Sequence, residues 1–459
     1  MGEQQPWLWR SRPLKQRTGS EIFMRLFGRN SAYGTLLESP LAGDHPQLCR
    51  YSLCAGQPRF VNGQRQVWTP AVGQILPCLQ RLYHRCSSQV PSEVSHLPFT
   101  GGYFGWLGYD LAWEIEQLPQ WKTDQLPFPI AYWYEPETFA VLDHQEQVLW
   151  LAASELSQLD GLETALETEV NDNVASSQSL STDVSAPTFL TSATAYQEMV
   201  RRAKEYIHAG DIFQTNLSLR FQAETQGDSW QLYQALQRIN PSPFASYWRT
   251  PWGAMISCSP ERLVQRQGSL CQTRPIAGTR PRGQTAAEDE QLATELRANK
   301  KEQAEHIMLV DLERNDLGRV CDWGTVMVNE LLTIERYSHV MHLVSNVQGQ
   351  LKAGGNSIDL IRALFPGGTI TGCPKVRCLE IIEELEPLRR SLFYGSCGYL
   401  DQRGDLDLNI LIRTLLYAQG TVWGQVGAGI VADSDPQQEW EESLNKGKAQ
   451  VSAIAHWMS

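Results

Sequence analysis

No stretch of the sequence is apolar enough to span a membrane. Met1 to Arg17 is polar, with Arg10, Arg12, Lys15 and Arg17 and no apolar run behind them, so no secretory signal is expected. Positive charge is scarce: 39 Lys and Arg face 51 Asp and Glu, a net charge of −12. That excludes nucleic acid as a partner, because a phosphate backbone needs a basic face. An acidic small molecule remains admissible where a metal or a few cations line its pocket. The ten cysteines contain no CxxC pair, which removes zinc sites and thioredoxin-like chemistry. Cys373 and Cys378 read as small buried residues, and a reducing, cytoplasmic setting fits. Internal repeats and heptads are missing, and strands do not alternate strictly with helices, so a parallel Rossmann sheet is not expected.

What is present is an ordinary globular composition, 42% hydrophobic and 20% charged, over 459 residues. That length implies two domains or one large composite one. Residues 171–193 are rich in Ser, Thr, Asp and Asn and read as a linker or surface loop between residues 1–170 and 194–459. Before it, strands are expected at Tyr132–Val141 and Gln147–Ala152, and a close-packed turn or bulged strand at Gly101–Gly108. After it, Thr194–Ala209 has helical spacing and ends at Gly210. Further helices are expected at Thr294–Leu312, Val376–Glu384 and Gln437–Trp457. Strands are expected at Trp252–Ser257, Leu392–Leu400, Asp407–Tyr417 and Thr421–Ile430.

Two helices each carry a carboxylate pair three residues apart, Glu302 with Glu305 and Glu439 with Glu442. Such pairs are one way to hold Mg²⁺ with room for water and a substrate anion, and they are also common on solvated faces, so spacing leaves both readings open. Phe365-Pro-Gly-Gly-Thr-Ile-Thr-Gly-Cys-Pro-Lys375 fails as a phosphate loop, because Pro374 precedes the lysine and no Gly-Lys-Ser/Thr follows. Its glycines, like Gly427-Ala-Gly429, serve either tight packing or close backbone approach to a ligand. His342, with His339 nearby, is a candidate acid–base group or a satisfied core residue. Arg413 follows the apolar run Leu408–Ile412, and a guanidinium there pairs with a carboxylate of the protein or of a ligand.

Together these segments resemble the chorismate-binding family, which includes anthranilate, aminodeoxychorismate, isochorismate and salicylate synthases. The resemblance rests on Ser259-Pro-Glu-Arg262, Pro275-Ile-Ala-Gly-Thr279, Glu305-His306 leading into Asp311-Leu-Glu-Arg-Asn-Asp316, Met341-His-Leu-Val-Ser345, Gly372-Cys-Pro-Lys375, Ile412-Arg413 and Gly427-Ala-Gly-Ile-Val431, in family order. Leu36-Leu-Glu-Ser39 and Pro98-Phe-Thr-Gly-Gly102 extend it into the first part of the chain. It implies an α+β fold of two α/β subdomains, with antiparallel sheets stacked face to face, helices outside and chorismate between them. It implies Mg²⁺ at Glu305 and Glu442, with Glu302 and Glu439 near. Gly278, Thr279, Thr369, Tyr394, Arg413, Gly427, Ala428 and Gly429 match substrate-contacting positions. Glu261 matches a proposed general acid for the departing C4 hydroxyl, His342 a histidine beside the ring, and Lys446 a lysine near metal and carboxylate. Leu37, Glu38, Ser39, Pro243 and Phe244 match the walls of a tryptophan site, which serves some members as an inhibitory site and others as a structural one; core packing is the other reading.

Members that add water to chorismate carry a lysine base where this chain has Gln214. A neutral amide takes no proton from water, whereas ammonia attacks as its free base. The resemblance therefore implies amination, with ammonia from a class I glutamine amidotransferase subunit, since no nucleophile-cysteine segment of that class is present here. Phe365-Pro-Gly-Gly-Thr-Ile-Thr-Gly and Asp405-Leu-Asp-Leu-Asn-Ile-Leu-Ile-Arg413 resemble the aminodeoxychorismate branch. Ala277 resembles the anthranilate branch, because some aminodeoxychorismate synthases have a nucleophilic lysine there. A non-catalytic sensor of chorismate or tryptophan is the remaining alternative.

Overall fold

The computed structural model describes residues 6–28, 31–39, 48–86, 90–168, 186–337 and 340–457. His339 and most of the segment 171–193 lie outside them; within that segment Thr188–Phe189 forms a short strand. Two antiparallel sheets, of twelve and ten strands, organise the chain. The larger runs from Leu8–Pro13 through Val148–Ala153, Thr138–Asp143, Tyr51–Ala55 and Gly34–Glu38. It continues through Phe244–Thr250, Gly253–Ser259, Thr414–Ala418, Thr421–Ile430 and Gln214–Glu224. The smaller runs from Ile276–Pro281 through Val340–Gln350, Leu270–Arg274, Arg262–Gln267 and Leu406–Asn409 to Ser396–Asp401, Gly102–Leu107 and Ala131–Tyr134. Strands from both sides of the segment 171–193 meet in each sheet: Gly34–Glu38 pairs with Phe244–Thr250, and Gly102–Leu107 with Ser396–Asp401.

The sheets stack through an aromatic core. Trp106 of the smaller sheet meets Trp248 of the larger edge-on at 5.7 Å, and the buried Tyr134 hydroxyl donates to Thr35 Oγ1 at 2.8 Å across the interface. Gly101–Gly108 is a strand for most of its length. Gly102 sits at φ 123° so close to the neighbouring strand that a Cβ would lie 2.3 Å from the Leu400 carbonyl oxygen. Helices Ala193–His208, Ser229–Ile239 and Pro436–His456 lie together outside the larger sheet, their apolar faces (Tyr196, Met199, Val200, Ala453, Ile454) turned inward. Helix Lys300–Gly318 lies against the smaller one.

Three expected single elements are in fact two. Tyr132–Val141 splits into Ala131–Tyr134 and Thr138–Asp143, which belong to different sheets. Asp407–Tyr417 likewise splits into Leu406–Asn409 and Thr414–Ala418. The first run is interrupted by Glu135-Pro136-Glu137, which marks its break; in the second, Ile410-Leu411-Ile412 carries the apolar run up to Arg413, so apolar content does not mark the break there. Thr294–Leu312 divides at Asn299, whose side chain accepts from the Lys301 and Glu302 backbone N–H groups and starts a new helix. Leu392–Leu400 becomes strand only from Ser396.

Candidate active site

The crossings between sheets build the site. Glu261 lies in the short link from Gly253–Ser259 to Arg262–Gln267, and Arg413 ends the link between Leu406–Asn409 and Thr414–Ala418, at φ 53°. A cavity of about 550 Å³ opens beside them. Strands Gln214–Glu224 and Thr421–Ile430 give it Gln214, Gly427 and Gly429; the smaller sheet gives Ala277, Gly278, Thr279 and His342. Helix Lys300–Gly318 adds Glu302 and Glu305, the C-terminal helix adds Glu442 and Lys446, and Thr369 and Tyr394 complete the wall. Two expected residues do not line it. Ala428 is buried between two lining glycines, because successive strand residues face opposite ways. Glu439, one helical turn before Glu442, is turned aside and accepts from Ser434 Oγ at 2.6 Å.

At the mouth, carboxylates crowd one another. Glu442 is 53% exposed and pairs with Lys446 Nζ at 2.8 Å, and Glu302 lies 3.4 Å from Arg280 Nη1. Glu305 between them accepts from Gln214 Nε2 at 3.3 Å. Burial raises the Glu305 pKa first, and the neighbouring Glu302 and Glu442 charges raise it further. A Cβ at Gly429 would lie 2.7 Å from Gln214 Nε2 and 3.4 Å from Glu305 Oε1, so glycine there keeps the cluster open. Among the described residues no three acidic, His or Cys side chains form a ready-made metal cage. The donor set still fits Mg²⁺, which is commonly held by one or two carboxylates plus water and substrate oxygens, and a divalent cation would relieve the repulsion at Glu305.

The inner end is different. Arg413 donates from Nη1 to the Lys446 carbonyl at 2.8 Å and has no carboxylate partner among the described residues; burial lowers its pKa. The His342 Nδ1 lies 3.0 Å from Thr279 Oγ1 and 3.4 Å from the Gly278 carbonyl oxygen; a carbonyl only accepts, which favours the tautomer with its proton on Nδ1. Burial, then Arg413, push its pKa down to about 4, so the ring is neutral at physiological pH. Tyr394, at φ 65°, carries the Arg390 guanidinium over its ring at 4.6 Å, and burial raises its pKa so that the phenol stays protonated. Burial pushes the Glu261 carboxyl up to about 8, with Glu313 adding to the rise.

The glycine-rich turn does not act as an anion cradle. Gly367 is packed by Ile410 and Gly368 by Leu312, and Lys375 is engaged by Asp316 at 2.6 Å. Residues passed over in the sequence also line the wall, among them Asn216, Arg280, Gln425 and Gln450. Asn216 and Gln425 each sit two residues from a recognised position on the same strand, so the period-two rule pointed to them. Gln214 Oε1, Asn216 Oδ1 and Gln450 Oε1 are buried lining atoms without a hydrogen-bond partner among the described residues, as expected of a site built for a polar ligand.

A second cavity, about 380 Å³, is lined by Leu37, Glu38, Pro243 and Phe244. Ser39 is outside it, its hydroxyl 3.2 Å from Cys49 Sγ. The Glu38 carboxylate is already engaged: it accepts from the Ser20 backbone N–H at 3.0 Å, Ser20 Oγ at 2.6 Å, the Tyr233 hydroxyl at 2.5 Å and Gln237.

Comparison with known proteins decides the family. Residues 54–452 match the family described as chorismate binding enzyme. This chain belongs to that family. The chorismate-binding chain is 62% identical to an anthranilate synthase component I-like protein of Synechocystis sp., over 98% of this chain and 93% of the relative. It is 45% identical to the aminodeoxychorismate synthase component 1 of Bacillus subtilis, over 96% of each. It is 40% identical to the anthranilate synthase component 1 of Synechocystis sp., over 92% and 91%. Its stacked antiparallel sheets are those of a chorismate-utilising enzyme.

Proposed function

We propose that this chorismate-utilising enzyme aminates its substrate with ammonia from a separate class I glutamine amidotransferase subunit, giving 4-amino-4-deoxychorismate for p-aminobenzoate and folate synthesis. The observation that carries the reading is Arg413, a half-buried guanidinium facing the cavity with no carboxylate partner among the described residues. It would take one substrate carboxylate, with the Tyr394 hydroxyl and the Gly427–Gly429 backbone beside it. Glu305 and Glu442, with Glu302 near, would hold Mg²⁺, which when bound supplies charge neutralisation at the ring carboxylate and polarises the ring toward loss of its hydroxyl.

The chain's own groups account for the proton movements. Glu261, protonated at neutral pH, would give its proton to the C4 oxygen as the C–O bond breaks, and water leaves. Ammonia forms the new C–N bond, and the proton it sheds restores Glu261. Neutral His342 and Thr279 would orient the ring face. Gln214, bonded to Glu305, offers no base to activate water and so supports amination over hydration.

Two points support the aminodeoxychorismate branch. The Bacillus subtilis relative of that name matches nearly the whole chain. The Synechocystis relative shares its organism with a separate protein named anthranilate synthase component 1, which is less similar to this chain. Ala277 favours a second reading, anthranilate synthase, in which ammonia goes directly to C2: among the described residues Lys446 is the sole lysine of the lining, and its ammonium is engaged by Glu442. We further propose that the cavity at Leu37, Pro243 and Phe244 takes L-tryptophan, as inhibitor or fixed ligand. The test is to incubate the purified chain with chorismate, Mg²⁺ and an ammonium salt. A non-aromatic amino product without pyruvate is expected; anthranilate with stoichiometric pyruvate overturns the branch assignment. No turnover at all would favour a chorismate sensor.

A further inference from the structure

Behind Glu261 lies a second buried carboxyl that these proton movements leave unused. Glu313 is on the inner face of helix Lys300–Gly318 and is 5% exposed; Glu261 is 4% exposed. The short turn Gly368–Ile370 lies against both. Its Thr369 faces Glu261, and its Gly368 amide faces Glu313. The helix is seated tightly on that turn: a Cβ at Gly368 would lie 2.2 Å from Leu312 Cδ2 and 3.6 Å from Glu313 Oε1. Glu313 Oε2 also accepts from Thr273 Oγ1 at 2.9 Å.

The charged groups around the two carboxyls are unequal. Glu261 is faced by Glu313, the Thr369 side chain and the Ile276 backbone N–H. Glu313 is faced by Asp316, Lys375, Thr273 and the Gly368 backbone N–H. Lys375 pairs with Asp316 at 2.6 Å and donates to the Leu364 carbonyl at 3.0 Å. Among the described residues the cations of the cluster, Lys375 and beyond it Arg319, are therefore on the Glu313 side. Two neighbouring carboxyls in a dry interior resist being ionised together, and the one nearer a cation and its donors takes the charge first.

We propose that Glu313 is a positioning residue, the ionised member of a buried carboxyl pair on the turn Gly368–Ile370, and that its charge keeps Glu261 protonated for delivery to the departing hydroxyl. This rests on the reading of Glu261 as the acid. Burial carries both above the ordinary carboxylate range, Glu261 to about 8 and Glu313 to about 7, and the lower of the two is the carboxyl beside Lys375, which loses its proton first as pH rises.

Glu313→Gln tests it through two independent readouts. One is the infrared carbonyl band of protonated Glu261 in substrate-free enzyme, assigned by its loss in Glu261→Gln and titrated with pH. The other is the pH dependence of kcat at constant free ammonia, where activity falls as pH rises through the Glu261 pKa. Removing the Glu313 charge is expected to move both to lower pH by about one unit, a loss of about tenfold in kcat above the limb. Glu313→Asp, which keeps the charge, should return much of the shift. Thr273→Val, which takes a donor from Glu313, should give a smaller shift in the same direction and serves if the glutamine variant does not fold. An unmoved band overturns the pairing. A band that moves while the kcat limb stays upholds the pairing and contradicts the role of Glu261 as the acid.

Discussion

At the mouth of the cavity Glu302 and Glu442 keep 23% and 53% of their side-chain surface exposed; at its inner end Glu261, and Glu313 behind it, are almost fully buried. The chemistry of one functional group follows that difference. Near water, with room for a hydrated ion, the outer carboxylates suit cation binding once it displaces Lys446 and Arg280 from them. In the dry interior burial holds a carboxyl protonated and makes it an acid. Cations divide in the opposite sense, since Lys446 at the mouth is paired and Arg413 inside is left for a ligand.

The largest effect expected from erasing this contrast is at the inner end. Glu261→Gln should lower kcat by about 10²–10⁴, measured as steady-state chorismate loss. The same change should stabilise the fold, increasingly so with pH. The folded pKa of about 8 lies above the ordinary 4.5, so between those values the folded state holds a proton that the unfolded state has lost. Stability therefore falls as pH rises through that window, and glutamine removes the fall. Thermal melts at pH 6 and pH 8.5 would measure it, and an equal difference at both would contradict the buried-acid account.

Arg413→Gln comes next. Losing a charge-assisted bond of about 1.5–3 kcal/mol should raise the chorismate KM by about 10- to 100-fold. At the mouth, Glu305→Gln should raise the Mg²⁺ concentration for half-maximal rate by about tenfold, and Glu439→Gln by much less, because Glu439 is turned to Ser434. A larger effect at Glu439 would place the cation elsewhere. The smallest effect concerns His342, whose folded pKa of about 4 lies below its ordinary 6.5. It supports the fold fully above pH 6.5 and loses that support as pH falls toward 4, so His342→Gln should flatten the acid side of the melting profile.

Much of this arrangement was legible in the sequence. The helix Thr194–Ala209, the strand Thr421–Ile430 and most of the candidate site residues were recognisable from periodicity and motif order, and the structure gathers them around one cavity. What was hidden has a common physical origin. At 407–417 the apolar run continues through Ile410-Leu411-Ile412 and gives no sign of the crossing that sets Arg413 in place, whereas at 132–141 Glu135-Pro136-Glu137 marks the crossing. Asn299 carried a readable cap signal within an expected helix. Ala428 and Glu439 matched the motif but face other neighbours. Glu38 matched a ligand wall while its carboxylate secures the start of helix Gly19–Phe27 through Ser20. Glu313 sat inside a recognised motif, yet its place behind Glu261 arises only when helix and turn pack together.

The most direct test of the account is chorismate consumption by the purified chain with Mg²⁺, followed by product mass with and without ammonium. Amination by a site whose Gln214 gives water no base predicts consumption only when ammonia is present, with nitrogen in the product. Consumption in ammonia-free buffer to a hydroxylated isomer of chorismate would contradict it.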